Sequence, residues 1–128
     1  MTEKQGMSKK EIAVSFLETV ASGDVRKAFK DYIGNGFHHH NPYFRGDGES
    51  LMLAMEDNAV KNPRKIFEVK RAIEEKDEVA VHSHVRQHQD DLGAIVVHIF
   101  RFEEDKIAEL WDIGQPMPED TINENGVF

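Results

Sequence analysis

The chain contains no cysteine. Disulfides, thiolate metal sites and cysteine nucleophiles are thereby excluded, and the composition fits a reducing cytoplasm. No apolar run approaches the roughly 20 residues that a membrane-spanning helix needs. The first residues, Met1 to Ser8, are polar and lack the apolar stretch of a secretory signal, so they read as a frayed terminus. An excess of positive charge is missing too: 16 basic against 24 acidic side chains leave a formal charge of -8. A nucleic-acid binder carries a basic surface, so that balance argues against one. Internal repeats and low-complexity linkers are also absent. What remains, at 128 residues, is the size of one domain able to bury its own core. The expectation is a single domain over 1–128, with terminal segments at 1–7 and about 118–128.

Three helical patterns precede a run of strand patterns. Ser8 and Glu11 fit a capping box, in which each side chain satisfies the other's free backbone N–H. Ile12, Phe16, Leu17 and Val20 follow at helical spacing, and Gly23 ends the helix. Asp24 is placed to cap a second helix carrying Val25, Ala28, Phe29 and Tyr32, which Gly34-Asn35-Gly36 stops. Phe37 to Asn41 reads as a short extended piece, because Pro42 pushes Asn41 out of helical geometry. Asp47 or its neighbours can cap a third helix with Leu51, Met52, Met55 and Val60 on one side, closed by Pro63.

The second half reads as a meander of strands over 66–74, 79–88, 93–102 and 106–115. Val79, Val81 and Val85 alternate with His82, His84, Arg86 and His88. Helices segregated before such a meander indicate an α+β domain, with the helices over the concave face of a curved antiparallel sheet. The mouth of such a cone is a natural small-molecule site.

The last hairpin predicts which side chains meet. With Asp105 in a left-handed conformation, the loop is Glu103 to Asp105 with a bulge. Phe102 then opposes Lys106, His98 opposes Leu110 and Val96 opposes Asp112. One face carries Val96, His98, Phe100, Ala108, Leu110 and Asp112. The other carries Ile95, Val97, Ile99, Ile107, Trp111 and Ile113, an apolar surface for a second copy of the chain. A two-residue loop would put His98 and Asp112 on opposite faces. On a shared apolar wall the pair suits acid/base work, because burial raises a carboxyl pKa toward neutrality. The competing reading is a purely structural hydrogen bond.

His38 and His40 share a face of the extended piece and His39 points away. With His82 or His84 they would offer imidazoles to a metal, but no metal-ligand spacing supports this and no metal ligand is assigned. Asn41-Pro42-Tyr43 reads as a pocket rim, with Asn41 either binding a substrate oxygen or capping the loop turn. Arg101 and Glu109 fit a cross-strand ion pair.

The segments HHHNPYFRGDGESL, VAVHSH and VVHIFRFEEDKIAELWDIGQPMPE resemble the SnoaL-like polyketide cyclase family of the nuclear transport factor 2-like superfamily. The resemblance runs from about Ser8 to the C-terminus and is most specific in the final strand pair. It implies a helix-covered cone and a cofactor-independent intramolecular aldol condensation. In that family an aspartate moves the proton at a carbon next to a carbonyl, while a histidine and an asparagine help bind the enolate. By motif position these map to Asp112, His98 and Asn41. Many relatives carry an acidic residue where His98 stands and a histidine where Leu110 stands. The expectation is therefore a cyclase or isomerase type of catalyst for a small carbonyl compound. Asp112 and His98 are its catalytic pair, and His40, Asn41, Tyr43, His82, Phe100 and Leu110 are its substrate-binding residues. A non-catalytic binding module of the same fold is the alternative, since one fold serves both.

Overall fold

The computed structural model describes residues 6–128. Of the frayed terminus expected over Met1 to Ser8, residues 1–5 lie outside the described residues, whereas Met7 packs against the core and Ser8 caps the first helix. Helix α1 (Lys9–Ala21) opens with the anticipated capping box. The Glu11 N–H donates to Ser8 Oγ at 3.1 Å and the Ser8 N–H donates to Glu11 Oε1 at 2.9 Å. Its inner face buries Ile12, Ala13, Phe16 and Leu17. Helix α2 (Val25–Tyr32) follows Gly23, whose φ of +97° a glycine adopts without strain. Asp24 holds the N-cap position, but its side chain makes no capping hydrogen bond.

Helix α2 ends just before Gly34-Asn35-Gly36, as expected, and that segment continues as a strand, β1 (Ile33–His39). Helix α3 (Gly48–Lys61) begins at Asp47, whose carboxylate accepts the Ser50 N–H at 2.9 Å. Leu51 of α3 is buried, whereas Val60, expected beside it, is 80% exposed. Nine residues from Leu51 is about two and a half turns, which is the opposite side of the helix.

Strands β2 (Ile66–Glu75), β3 (Glu78–Arg86), β4 (Ala94–Glu103) and β5 (Lys106–Pro116) form the antiparallel meander. The spatial order is β1-β5-β4-β3-β2, with β1 parallel to β5. The sheet is thus mixed rather than wholly antiparallel. The first strand returns to the meander's last one through a long crossover, and such a connection permits parallel pairing.

The β4–β5 register departs from the one expected. Glu103 pairs with Lys106, so the loop has two residues, and the left-handed residue is Glu104 (φ +57°) rather than Asp105. Phe102 opposes Ile107, yet Arg101 opposes Glu109, leaving Ala108 as an extra residue on β5. The bulge restores the phase that the short loop would have lost. His98 and Asp112 do share a face, and they stand directly opposite one another rather than on a diagonal. Ile107, expected outside, is fully buried on the inner side.

Phe16 anchors the core. It meets Phe100 edge-on with ring centroids 6.1 Å apart, and Phe29 at 5.6 Å. Val79, Val81, Phe102, Ile107 and Leu110 complete the floor under the helices. Each such side chain contributes about 1.5–3 kcal/mol by leaving water.

Candidate functional site

A cavity of about 440 Å³ opens between α1, α3 and the concave side of the sheet. That volume suits a small organic molecule. Leu17, Leu51, Met55, Phe67, Val85 and Val96 give it mostly apolar walls. The polar groups are few and placed by strand register. His98 and Asp112 enter from paired positions of β4 and β5, and Asn41 enters from the loop after β1.

Both ends of the Asn41 amide have a protein partner. Its Nδ2 donates to Asp112 Oδ2 at 2.9 Å and its Oδ1 accepts the Tyr43 N–H at 3.0 Å. The loop is itself held by His39, which is buried. The Nδ1 of His39 accepts the Asn41 N–H at 3.0 Å, so its Nε2 carries the hydrogen and donates to the Arg45 carbonyl at 2.6 Å. Imidazole, amide and carboxylate form one chain of supports that ends at Asp112.

The other oxygen of Asp112 faces His98 Nε2 at 3.6 Å, too long for a hydrogen bond. The second ring nitrogen of His98, Nδ1, is buried and has no protein partner. Burial holds the His98 imidazolium pKa below its ordinary value, and the neighbouring Asp112 only partly opposes this. A neutral imidazole and an anchored carboxylate therefore stand side by side at the cavity wall, where one ligand can meet both.

Another polar group in the cavity carried no signal in the sequence pattern. Lys65, between α3 and β2, is half-buried and lines the cavity wall. Its ammonium donates to Asn58 Oδ1. Desolvation lowers its pKa, and among the described residues no ion pair offsets the burial. Gln87 also lines the cavity, and its Oε1 is buried without a partner. By strand order Lys65 and Asp112 stand on the β2 and β5 sides of the cavity.

The other residues assigned to the pocket from sequence lie elsewhere. His40 sits on the outer face, where its Nε2 lies 2.6 Å from Glu109 Oε2 and its ring stacks on Trp111. His82 is also outside, 3.0 Å from an Arg71 guanidinium nitrogen and against the Phe128 ring. Both face outward because their inward-facing strand neighbours, His39 and Val81, occupy the buried side. Tyr43 is 85% exposed beyond the rim, and Phe44 takes the place at the cavity edge. Phe100 and Leu110 are core residues behind the wall rather than part of its lining.

The outer face holds a second polar group. Glu109 accepts from Arg101 Nε at 2.9 Å, as the cross-strand pairing suggested, and meets His38 Nε2 at 3.0 Å as well as His40. These partners, His40 first and then Arg101, hold its carboxyl pKa down to about 2. Neither His82 nor His84 joins this group; both lie against Phe128.

A model of the SnoaL-like domain matches residues 13–110. The chain belongs to the SnoaL-like domain family. No curated protein sequence matches it. Solved structures share the SnoaL-like fold at low identity. A candidate hydroxylase from Streptomyces galilaeus superposes with a TM-score of 0.71 at 19% identity, covering 84% of this chain and 88% of that one. A candidate polyketide cyclase from Sinorhizobium meliloti gives 0.68 at 10% identity, over 88% of this chain and 100% of that one. A SnoaL-like protein of unknown function from Burkholderia thailandensis gives 0.69 at 14%, over 84% and 93%. These likenesses establish the nuclear transport factor 2-like cone. Among the described residues no helix is long and apolar enough to cross a membrane.

Proposed function

We propose that this SnoaL-like protein binds a small carbonyl compound in its cone and moves a proton at the carbon beside the carbonyl, as a cyclase or isomerase does. The observation that carries this reading is the anchored Asp112 carboxylate beside buried, neutral His98 at 3.6 Å. Asp112 takes the proton from carbon. His98, in the tautomer that carries hydrogen on the nitrogen facing the substrate, donates to the oxygen on which negative charge develops. Asn41 is a positioning residue for Asp112 rather than a direct substrate ligand, since both ends of its amide are engaged. Lys65 adds a preference for a substrate that carries an acidic or electron-rich group at its far end.

The test is hydrogen–deuterium exchange at the α-carbon of cyclic β-keto esters and β-keto acids in heavy water, followed by NMR. The protein should accelerate exchange, and Asp112→Asn should slow it by about 10²–10⁴-fold. Equal rates for the two proteins would remove Asp112 from the chemistry.

The occupied Asn41 amide favours a second reading, a binding module whose carboxylate is held for structure. That reading predicts saturable binding of the same compounds with no exchange. A homodimer through the outer sheet face, where Ile113 is 55% exposed, and a cytoplasmic setting complete the proposal.

A further inference from the structure

We infer that His38, His40 and Glu109 form a binding site for a divalent transition-metal ion of the zinc type on the outer face of the sheet. None of the three residues lines the cavity, and the inference is independent of the reaction proposed there. Residues i and i+2 of a strand point the same way, so His38 and His40 present their rings together. The parallel pairing of β1 with β5 sets His38 beside Glu109. The three ligand atoms all lie within 4.8 Å of one another, and Glu109 Oε2 is 3.0 and 2.6 Å from the two Nε2 atoms. A tetrahedral ion with bonds near 2.0–2.1 Å holds its ligand atoms about 3.3 Å apart, so the group needs only small shifts to close on one.

The surroundings are those of a metal site rather than of a loose surface cluster. Arg101 Nε holds the other oxygen of Glu109 at 2.9 Å, which leaves Oε2 directed at the imidazoles. The guanidinium also pairs with Glu103 at 3.2 Å, so two carboxylates share one positive charge and the patch stays net negative before a cation arrives. Trp111 stacks on His40 at 5.0 Å and 10°, fixing the ring plane. Without an ion His38 Nε2–H donates to Glu109 Oε2 at 3.0 Å, and a metal would replace that proton while Nδ1, 3.5 Å from the Gly36 carbonyl, carries the ring hydrogen. Two imidazoles and one carboxylate select borderline ions such as Zn²⁺, Co²⁺ or Ni²⁺ over Mg²⁺ or Ca²⁺. The half-exposed rings leave the remaining coordination position to water or to a group from outside.

The only tryptophan of the chain is thus a built-in reporter. Zn²⁺ would be titrated into the full chain by calorimetry, and Ni²⁺ followed by Trp111 fluorescence. The expected result is one equivalent of Zn²⁺ bound with Kd near or below about 10 μM, and saturable quenching by Ni²⁺. His38→Ala with His40→Ala should weaken binding at least about 10–100-fold, while His84→Ala leaves it unchanged. Both histidines are surface residues, so loss of fold does not confuse the outcome, and Glu109→Gln gives a third check. Absence of Zn²⁺ heat and Ni²⁺ quenching at 100-fold higher concentration, or equal affinity in the double variant, would overturn the inference.

Discussion

The Asn41 amide donates to Asp112 Oδ2 at 2.9 Å, joining the loop after β1 to the middle of β5. This bond fixes one oxygen of the carboxylate and turns the other toward His98. Because buried His39 fixes Asn41 in turn, the orientation of the carboxylate depends on a side chain, His39, that lies outside the cavity lining.

Removing that support should cost rate more than binding. Asn41→Ala is expected to lower kcat for α-proton exchange by about tenfold or more with a smaller change in KM, and to lower stability by about 1 kcal/mol. Exchange kinetics and urea unfolding measure the two effects. A variant that raises KM alone would make Asn41 a substrate ligand.

Buried His98 makes stability depend on pH. Its folded-state pKa lies below the ordinary 6.5, so below that pH the unfolded chain binds more protons than the native one. The stabilising contribution is complete above about pH 6.5 and is lost as pH falls through the lowered native value. Asp112, the charged group facing the ring, moderates the loss without reversing it. Urea midpoints at pH 7.5 and 5.5 should separate for the unaltered protein and converge in His98→Phe. The same separation in both proteins would contradict this account.

Lys65 has been taken partly out of water without a carboxylate partner. A ligand acid group would supply one. An aromatic carboxylate should bind about tenfold or more tightly than its neutral carboxamide, and Lys65→Met should erase the difference. Calorimetry with the two probes decides, and a preference that survives the substitution would place the anion contact elsewhere.

The outer face makes a prediction about assembly. Ile113 is more than half exposed beside Trp111, on the surface proposed for a second copy. Ile113→Lys should convert a dimer into a monomer in sedimentation at micromolar concentration. A monomeric unaltered chain would remove the dimer from the proposal.

Local chemistry made the helices legible, because capping residues and apolar spacing act within one element. Ser8 and Asp47 cap as their sequence context indicates. The His98/Asp112 pairing was legible only as a consequence of phase, and the details behind it differed: a shorter loop and an unforeseen bulge cancelled. The chemistry of His40 and His82 suits a pocket, but the period of two along a strand governs which way each points and turns both outward. Lys65 was invisible because it sits in a connection without periodicity, where only the folded chain brings it under α3. Parallel β1 was hidden for a related reason: its partner lies about seventy residues away.

Ala108 gives β5 two reading frames. Residues 106 and 107 are in phase with the turn, while those from Glu109 onward are in phase with the site. The bulge therefore separates the phase of the turn from the phase of the face that carries Asp112. Loss of one residue between Ile107 and Glu109 would be absorbed by the bulge: Phe102 would still oppose Ile107 and Arg101 would still oppose Glu109, so Asp112 would stay opposite His98 on the cavity side.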